Sequence, residues 1–86
     1  MVRTIPNAEL ETGLYLFSSE GCTTCDSARA LIVEARGEDF TEFVWEHQPE
    51  HFGKLGVDAV PSVLIVDAAG SGRLYPGQPQ RALRAL

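Results

Sequence analysis

Ser19-Glu20-Gly21-Cys22-Thr23-Thr24-Cys25-Asp26 contains the only two cysteines of the chain, and the apolar pattern changes character across it. Before it, Leu14-Tyr15-Leu16-Phe17 is a continuous apolar run suited to a strand buried on both faces. After it, Cys25, Ala28, Leu31, Ile32 and Ala35 recur at helical spacing, with Asp26, Arg29 and Glu34 off that stripe. The switch falls at Gly21-Cys22. The spacing predicts a strand over Leu14–Ser18 and a helix over Thr23–Arg36, with Gly37 just past its end. The two cysteines then sit on adjoining turns of one helix start.

That position has chemical consequences. A helix start leaves N–H groups without intrahelical partners and carries about half a positive charge. A thiolate is stabilised there, so its pKa drops below the free value of about 8.5. Cys22, at or just before the first turn, gains most and is the candidate nucleophile. Cys25, one turn in and on the apolar face, is the candidate resolving thiol. Thr23 and Thr24 offer hydroxyls near the sulfur. Glu20 and Asp26 oppose the thiolate, so the expected depression is modest. Two competing readings exist. The pair can be buried and structural. It can also be half of a zinc site, but structural zinc takes four ligands, which requires His47 and His51 as well. A Cys-x-x-Cys inside a strand–helix–strand pattern reads first as a redox dithiol.

Composition sets the frame. The chain has 86 residues and is 44% hydrophobic, enough for one domain over 1–86 with one modest core. Its net charge of −5 argues against nucleic acid as a partner. Residues 1–67 carry all 12 acidic side chains, whereas 68–86 carry only Arg73, Arg81 and Arg84 as charged groups. No stretch near Met1-Val2-Arg3-Thr4-Ile5-Pro6 has the pattern of a secretory leader, and no run reaches membrane-spanning length. A cytoplasmic, monomeric protein with no membrane association, resident metal or cofactor is the expectation. In that compartment a cysteine pair is catalytic or metal-binding more often than structural.

The remaining elements follow in order. Val2–Ile5 can form a short edge strand, and residues 1–13 are expected to carry no chemistry. Phe40–Glu46 reads as the second strand, with Phe43, Val44 and Trp45 at its centre and Trp45 as a core or sheet-covering residue. Pro49–Leu55 reads as a short helix with proline at a permitted N-terminal position and Gly56 ending it. His47 and His51 beside it are expected to be solvated. Val63–Val66 is a buried strand preceded by Pro61, residues 67–72 form a turn, and Arg73–Tyr75 returns antiparallel until Pro76-Gly77. A final helix covers Pro79–Leu86, with Ala82, Leu83 and Leu86 on one stripe. The result is an α/β fold, β-α-β-α-β-β-α: a four-stranded mixed sheet with helices on both faces. The first two strands are parallel across the helix and the last two antiparallel across the turn.

This order, with Cys-x-x-Cys at the first helix start and Val60-Pro61 before the third strand, resembles the thioredoxin and glutaredoxin families over about residues 14–86. Lys54-Leu55-Gly56-Val57-Asp58-Ala59-Val60-Pro61-Ser62-Val63-Leu64-Ile65 and Gly77 are thioredoxin-like in spacing. The resemblance implies the thioredoxin fold and a small thiol–disulfide oxidoreductase with Cys22 and Cys25 as its dithiol. It also implies a cis peptide bond before Pro61, with Pro61 beside the dithiol. Gly21, Thr23, Val60 and Pro61 would border the substrate, the Val60 backbone pairing with it like an added strand. The implied partners are a disulfide-containing protein and, as electron donor, a thioredoxin-type reductase or a low-molecular-weight thiol. The sequence also departs from the families. Gly21 stands where thioredoxins have tryptophan, and Thr23-Thr24 where they usually have Gly-Pro. Leu16 stands where a buried aspartate assists proton transfer, and Glu42 where a lysine often lies near it, leaving Glu42 as a solvated strand residue or a substitute proton acceptor. The glutathione-site motifs of glutaredoxins are replaced by Ala59-Val60-Pro61 and Gly77-Gln78-Pro79-Gln80, so the chain is closer to a short thioredoxin-like protein than to a glutathione-binding glutaredoxin.

Overall fold

The computed structural model describes residues 2–77 and 79–85. Its elements are β1 (Arg3–Ile5), β2 (Gly13–Ser18), α1 (Thr23–Arg36), β3 (Thr41–Val44), α2 (Pro49–Leu55), β4 (Ser62–Val66), β5 (Gly72–Pro76) and α3 (Pro79–Arg84). The apolar run Leu14-Tyr15-Leu16-Phe17 is the heart of β2, and Leu14 through Ser18 are all buried. It lies inside the sheet, parallel to β3 and antiparallel to β4. The limits of α1 coincide with those expected from periodicity, and those of α2 with the start and stop residues Pro49 and Gly56. Two predicted positions, Gln78 and the last residue of the final stripe, Leu86, lie outside the described residues.

The sheet has five strands in the order β1-β5-β4-β2-β3, one more than the four expected. The addition is β1, which pairs antiparallel with β5 through Arg3↔Leu74, Thr4↔Arg73 and Ile5↔Gly72. It covers an edge that would otherwise leave a row of N–H and C=O groups open. Arg3 does more than extend the sheet. Its Nη2 donates to the carbonyls of Leu55 and Gly56 at 2.7 Å each, capping the C-terminal end of α2 with a cation.

Alternation along the strands divides the apolar residues between two faces. On one, Tyr15, Phe17, Phe43, Leu64, Val66 and Leu74 pack with Phe52 and Leu55 of α2. On the other, Leu14, Leu16, Val63 and Tyr75 pack with Ala28 and Ile32 of α1 and Ala82 of α3. Phe17 is wholly buried, with its ring edge-on to Phe52 at 5.0 Å and tilted against Phe43 at 5.4 Å. Ala35, expected on the buried stripe of α1, is exposed; the buried residues of the helix are Cys25, Ala28 and Ile32. Among the described residues no helix is long and apolar enough to cross a membrane.

Trp45 departs furthest from expectation. The strand expected over Phe40–Glu46 is β3 and stops at Val44, and Trp45 starts a turn closed by the N–H groups of His47 and Gln48 on the Val44 carbonyl, at 2.9 and 2.8 Å. The Gln48 side chain accepts from the Val44 N–H, so the edge strand ends on a local amide. Trp45 is therefore carried out of the core and is 49% exposed, its ring edge-on to Phe52 at 5.2 Å. As the only tryptophan, it alone reports by indole fluorescence. The folded protein should show a red-shifted emission that acrylamide quenches readily; a blue-shifted, protected emission would return Trp45 to the core.

Candidate functional site

Register gathers the motif residues at one end of the sheet. Ser18 is level with Val44, Phe17 with Ser62, and Ser62 with Pro76. The exits of β2, β3 and β5 and the entrance of β4 therefore lie together. The loop to Cys22, the turn at Trp45, the Val60-Pro61 segment and Gly77 meet there. The chain closes this end with backbone bonds, Trp45 N–H to Ser18 C=O at 2.8 Å and Gly77 N–H to Pro61 C=O at 2.8 Å.

Cys22 is the N-cap of α1. Its backbone is extended, and its sulfur accepts a hydrogen bond from the Cys25 N–H at 3.1 Å, the place usually taken by a serine, threonine or aspartate oxygen. Gly21 makes the approach possible, with φ of 73° in the region glycine adopts without strain. Cys22 and Cys25 are joined as a disulfide, with Cα atoms 5.2 Å apart. The Cys22 sulfur is thus a disulfide sulfur holding the place of a thiolate, with the same N–H aimed at it. The two differ in access, Cys25 being wholly buried and Cys22 partly exposed. The hydroxyl near the Cys22 sulfur is that of Thr24, at 3.4 Å. The hydroxyl of Thr23, exposed on the first turn, has no hydrogen bond to the sulfur.

The Val60-Pro61 bond is cis and Pro61 is buried. The Ser62 hydroxyl donates to the Ala59 carbonyl at 2.6 Å, bridging the segment from within. Val60 is half-buried, and no hydrogen bond among the described residues uses its backbone. A cleft of about 390 Å³ opens beside it, walled by Trp45, Phe52, Val57 and Val60 with Ser19 and Asp58 at its edges. A second, of about 310 Å³, lies on the α1 side between Thr24, Leu31, Pro61 and Pro79.

Glu42 is half-buried and held in an ion pair rather than freely solvated. Arg29, one turn below Cys25 on α1, grips both of its carboxylate oxygens, with Nε at 2.8 Å and Nη2 at 2.6 Å, and also binds Asp26 at 2.7 Å. The Ser18 hydroxyl donates to the same carboxylate. These bonds hold the Glu42 carboxyl below the usual glutamate range, the Arg29 hydrogen bonds most of all, and the Arg29 guanidinium is raised in return. Leu16, level with Glu42, is fully buried. Sequence reasoning missed Arg29 and Ser18. Arg29 stood off the apolar stripe as an ordinary surface residue, although spacing places it four residues beyond Cys25 on the same helix.

The two histidines are engaged elsewhere. His47 pairs with Glu20 at 2.6 Å, and the Glu20 N–H bonds to Glu46, so the loop before Cys22 is fastened to the Trp45 turn. His51 stacks on Phe43 with ring centroids 4.1 Å apart, so it is not a freely solvated loop residue. Among the described residues no three histidine, cysteine or acidic side chains come together as a metal site. The sequence matches no protein-family model, and no curated protein matches it.

The Arg29–Glu42 pair gives a pH dependence of defined sign. Unfolded, Glu42 takes its proton near the ordinary 4.5; folded, it takes it at lower pH. Its stabilising effect is therefore complete above that value and is lost as the pH falls through the folded one. Glu42→Gln should cost about 1–2 kcal/mol at neutral pH and flatten the acid limb of stability against pH. Denaturant titrations across pH check this; an unchanged acid limb in the variant would remove the pair from the account.

Proposed function

We propose that this chain is a thiol–disulfide oxidoreductase of the thioredoxin-like kind. The observation that carries the reading is the pair of unequal sulfurs at the start of α1: Cys22 reachable and hydrogen-bonded by the Cys25 N–H, Cys25 buried behind it. Further support comes from the order of elements. With β1 set aside as an edge addition, β2 to α3 run in the order of the thioredoxin fold that the sequence resembles, and the cis bond before Pro61 falls where that resemblance puts it.

In the reduced protein the Cys22 thiolate attacks one sulfur of a substrate disulfide. The substrate S–S bond breaks, a mixed disulfide forms, and one substrate sulfur leaves as thiolate. Cys25, once deprotonated, attacks the Cys22 sulfur, releases the second substrate sulfur and closes the Cys22–Cys25 disulfide. Two electrons pass from the dithiol to the substrate. A thioredoxin-type reductase or a low-molecular-weight thiol returns them. With Leu16 apolar and Glu42 held by Arg29, the Cys25 proton leaves to water or to the departing substrate thiolate.

Turnover of a protein disulfide, with dithiothreitol as reductant, tests the reading. Cys22→Ser should abolish acceleration over the uncatalysed rate. Pre-reduced Cys25→Ser, freed of dithiothreitol before substrate is added, should retain the first step and accumulate a covalent adduct of protein and substrate, visible by mass spectrometry. A Cys22→Ser protein as fast as the parent would refute the proposal.

A further inference from the structure

The cleft beside Val60 has a composition that the dithiol chemistry does not require. Trp45 and Phe52 form its main apolar wall, and the indole is oriented by its edge-on contact with Phe52. Trp45 is a large hydrophobic left half in water at the end of the sheet where Cys22 lies, where a desolvated contact is the natural use of such a surface. The polar edge is anionic. Asp58 lines the cleft, is exposed, and has no ion-pair or hydrogen-bond partner among the described residues. Glu20 and Glu46 flank Ser19 and Trp45 in the chain, and Glu50 opens α2. The nearby bases are already committed: His47 to Glu20, Lys54 to Glu9, and Arg3 to the carbonyls of Leu55 and Gly56.

We infer that this cleft selects the substrate: it takes an apolar side chain next to the reacting cysteine of an extended protein segment, with a lysine or arginine beside it meeting Asp58. The inference rests on the oxidoreductase reading and names its substrate class. The apolar side chain fills the space against Trp45, Phe52 and Val57. The unpaired Val60 backbone holds the segment alongside Pro61. The cation answers the Asp58 carboxylate, which favours encounter and register more than tight binding. A small thiol such as glutathione has no apolar side chain to fill the cleft and carries a net negative charge, and acidic segments are repelled.

Binding is read without chemistry by fluorescence anisotropy, using the oxidised full chain. The probes are short labelled peptides with serine in place of the reacting cysteine and leucine next to it, flanked either by lysines or by glutamates. The parent should bind the lysine peptide about tenfold or more tightly than the glutamate peptide at low salt, the gap narrowing as salt is added. Asp58→Lys should abolish or reverse the preference, and Trp45→Ala should weaken the lysine peptide by about tenfold. Equal binding of both peptides, or a preference that survives both substitutions, would overturn the inference. Reduction of hydroxyethyl disulfide, small and uncharged, is measured on the same protein. Turnover without peptide preference defeats the cleft alone. Peptide preference without turnover supports the cleft and defeats the oxidoreductase reading alone.

Discussion

The hydrogen bond from the Cys25 N–H to the Cys22 sulfur is where fold and chemistry join. It exists because a helix leaves its first N–H groups without partners, and because a cysteine stands where a capping residue is wanted. The rest of the structure serves this arrangement. The strand β2, buried on both faces, fixes the height of the loop. Gly21 bends the backbone back toward the helix, and Ala28 and Ile32 hold the helix on the sheet. The same geometry separates the sulfurs: the capping residue stays within reach of solvent, and the residue one turn in is buried with the apolar stripe.

Electrostatics near the dithiol is balanced by ties rather than by distance. Glu20 and Asp26 flank the motif and would each oppose a thiolate, but Glu20 is engaged by His47 and Asp26 by Arg29. Arg29 in turn binds Glu42 across to β3, so a single guanidinium links the helix that carries the cysteines to the strand beside it. The Glu20–His47 and Asp26–Arg29 pairs are largely exposed and contribute little to stability, whereas the partly buried Arg29–Glu42 pair fixes position, since desolvation offsets part of its attraction. What they supply here is a fixed helix start, with the Asp26 charge compensated by the Arg29 guanidinium and the Glu20 side chain held by a hydrogen bond to His47.

Much of this was legible in the chain because it is local. Periodicity located α1, Pro49 and Gly56 bracketed α2, and the apolar runs located β2 and β4, since burial pattern and capping residues lie within a few positions of each other. The dithiol at the helix start followed from the same switch in period. The resemblance, rather than any spacing, pointed to the cis bond at Pro61. What escaped depends on contacts between distant segments. Arg3 capping α2, and β1 pairing with β5, join residues that nothing in the local pattern connects. Glu42 read as solvated because its partner lies on another element, and Trp45 read as core because its hydrophobicity says nothing about where the strand stops. Gln48, whose side chain closes that turn, was the one local clue, and its amide has many other uses.

The central claim is that the start of α1 makes Cys22 the reactive sulfur. Its most direct test is the pH dependence of iodoacetamide alkylation of the reduced protein, with the modified cysteine identified by mass spectrometry. The account predicts that Cys22 reacts first, with a midpoint modestly below about 8.5, while Cys25 stays protected. Equal, slow reaction of both cysteines with a midpoint at or above that value would show that the helix start does not activate Cys22, and would contradict the account.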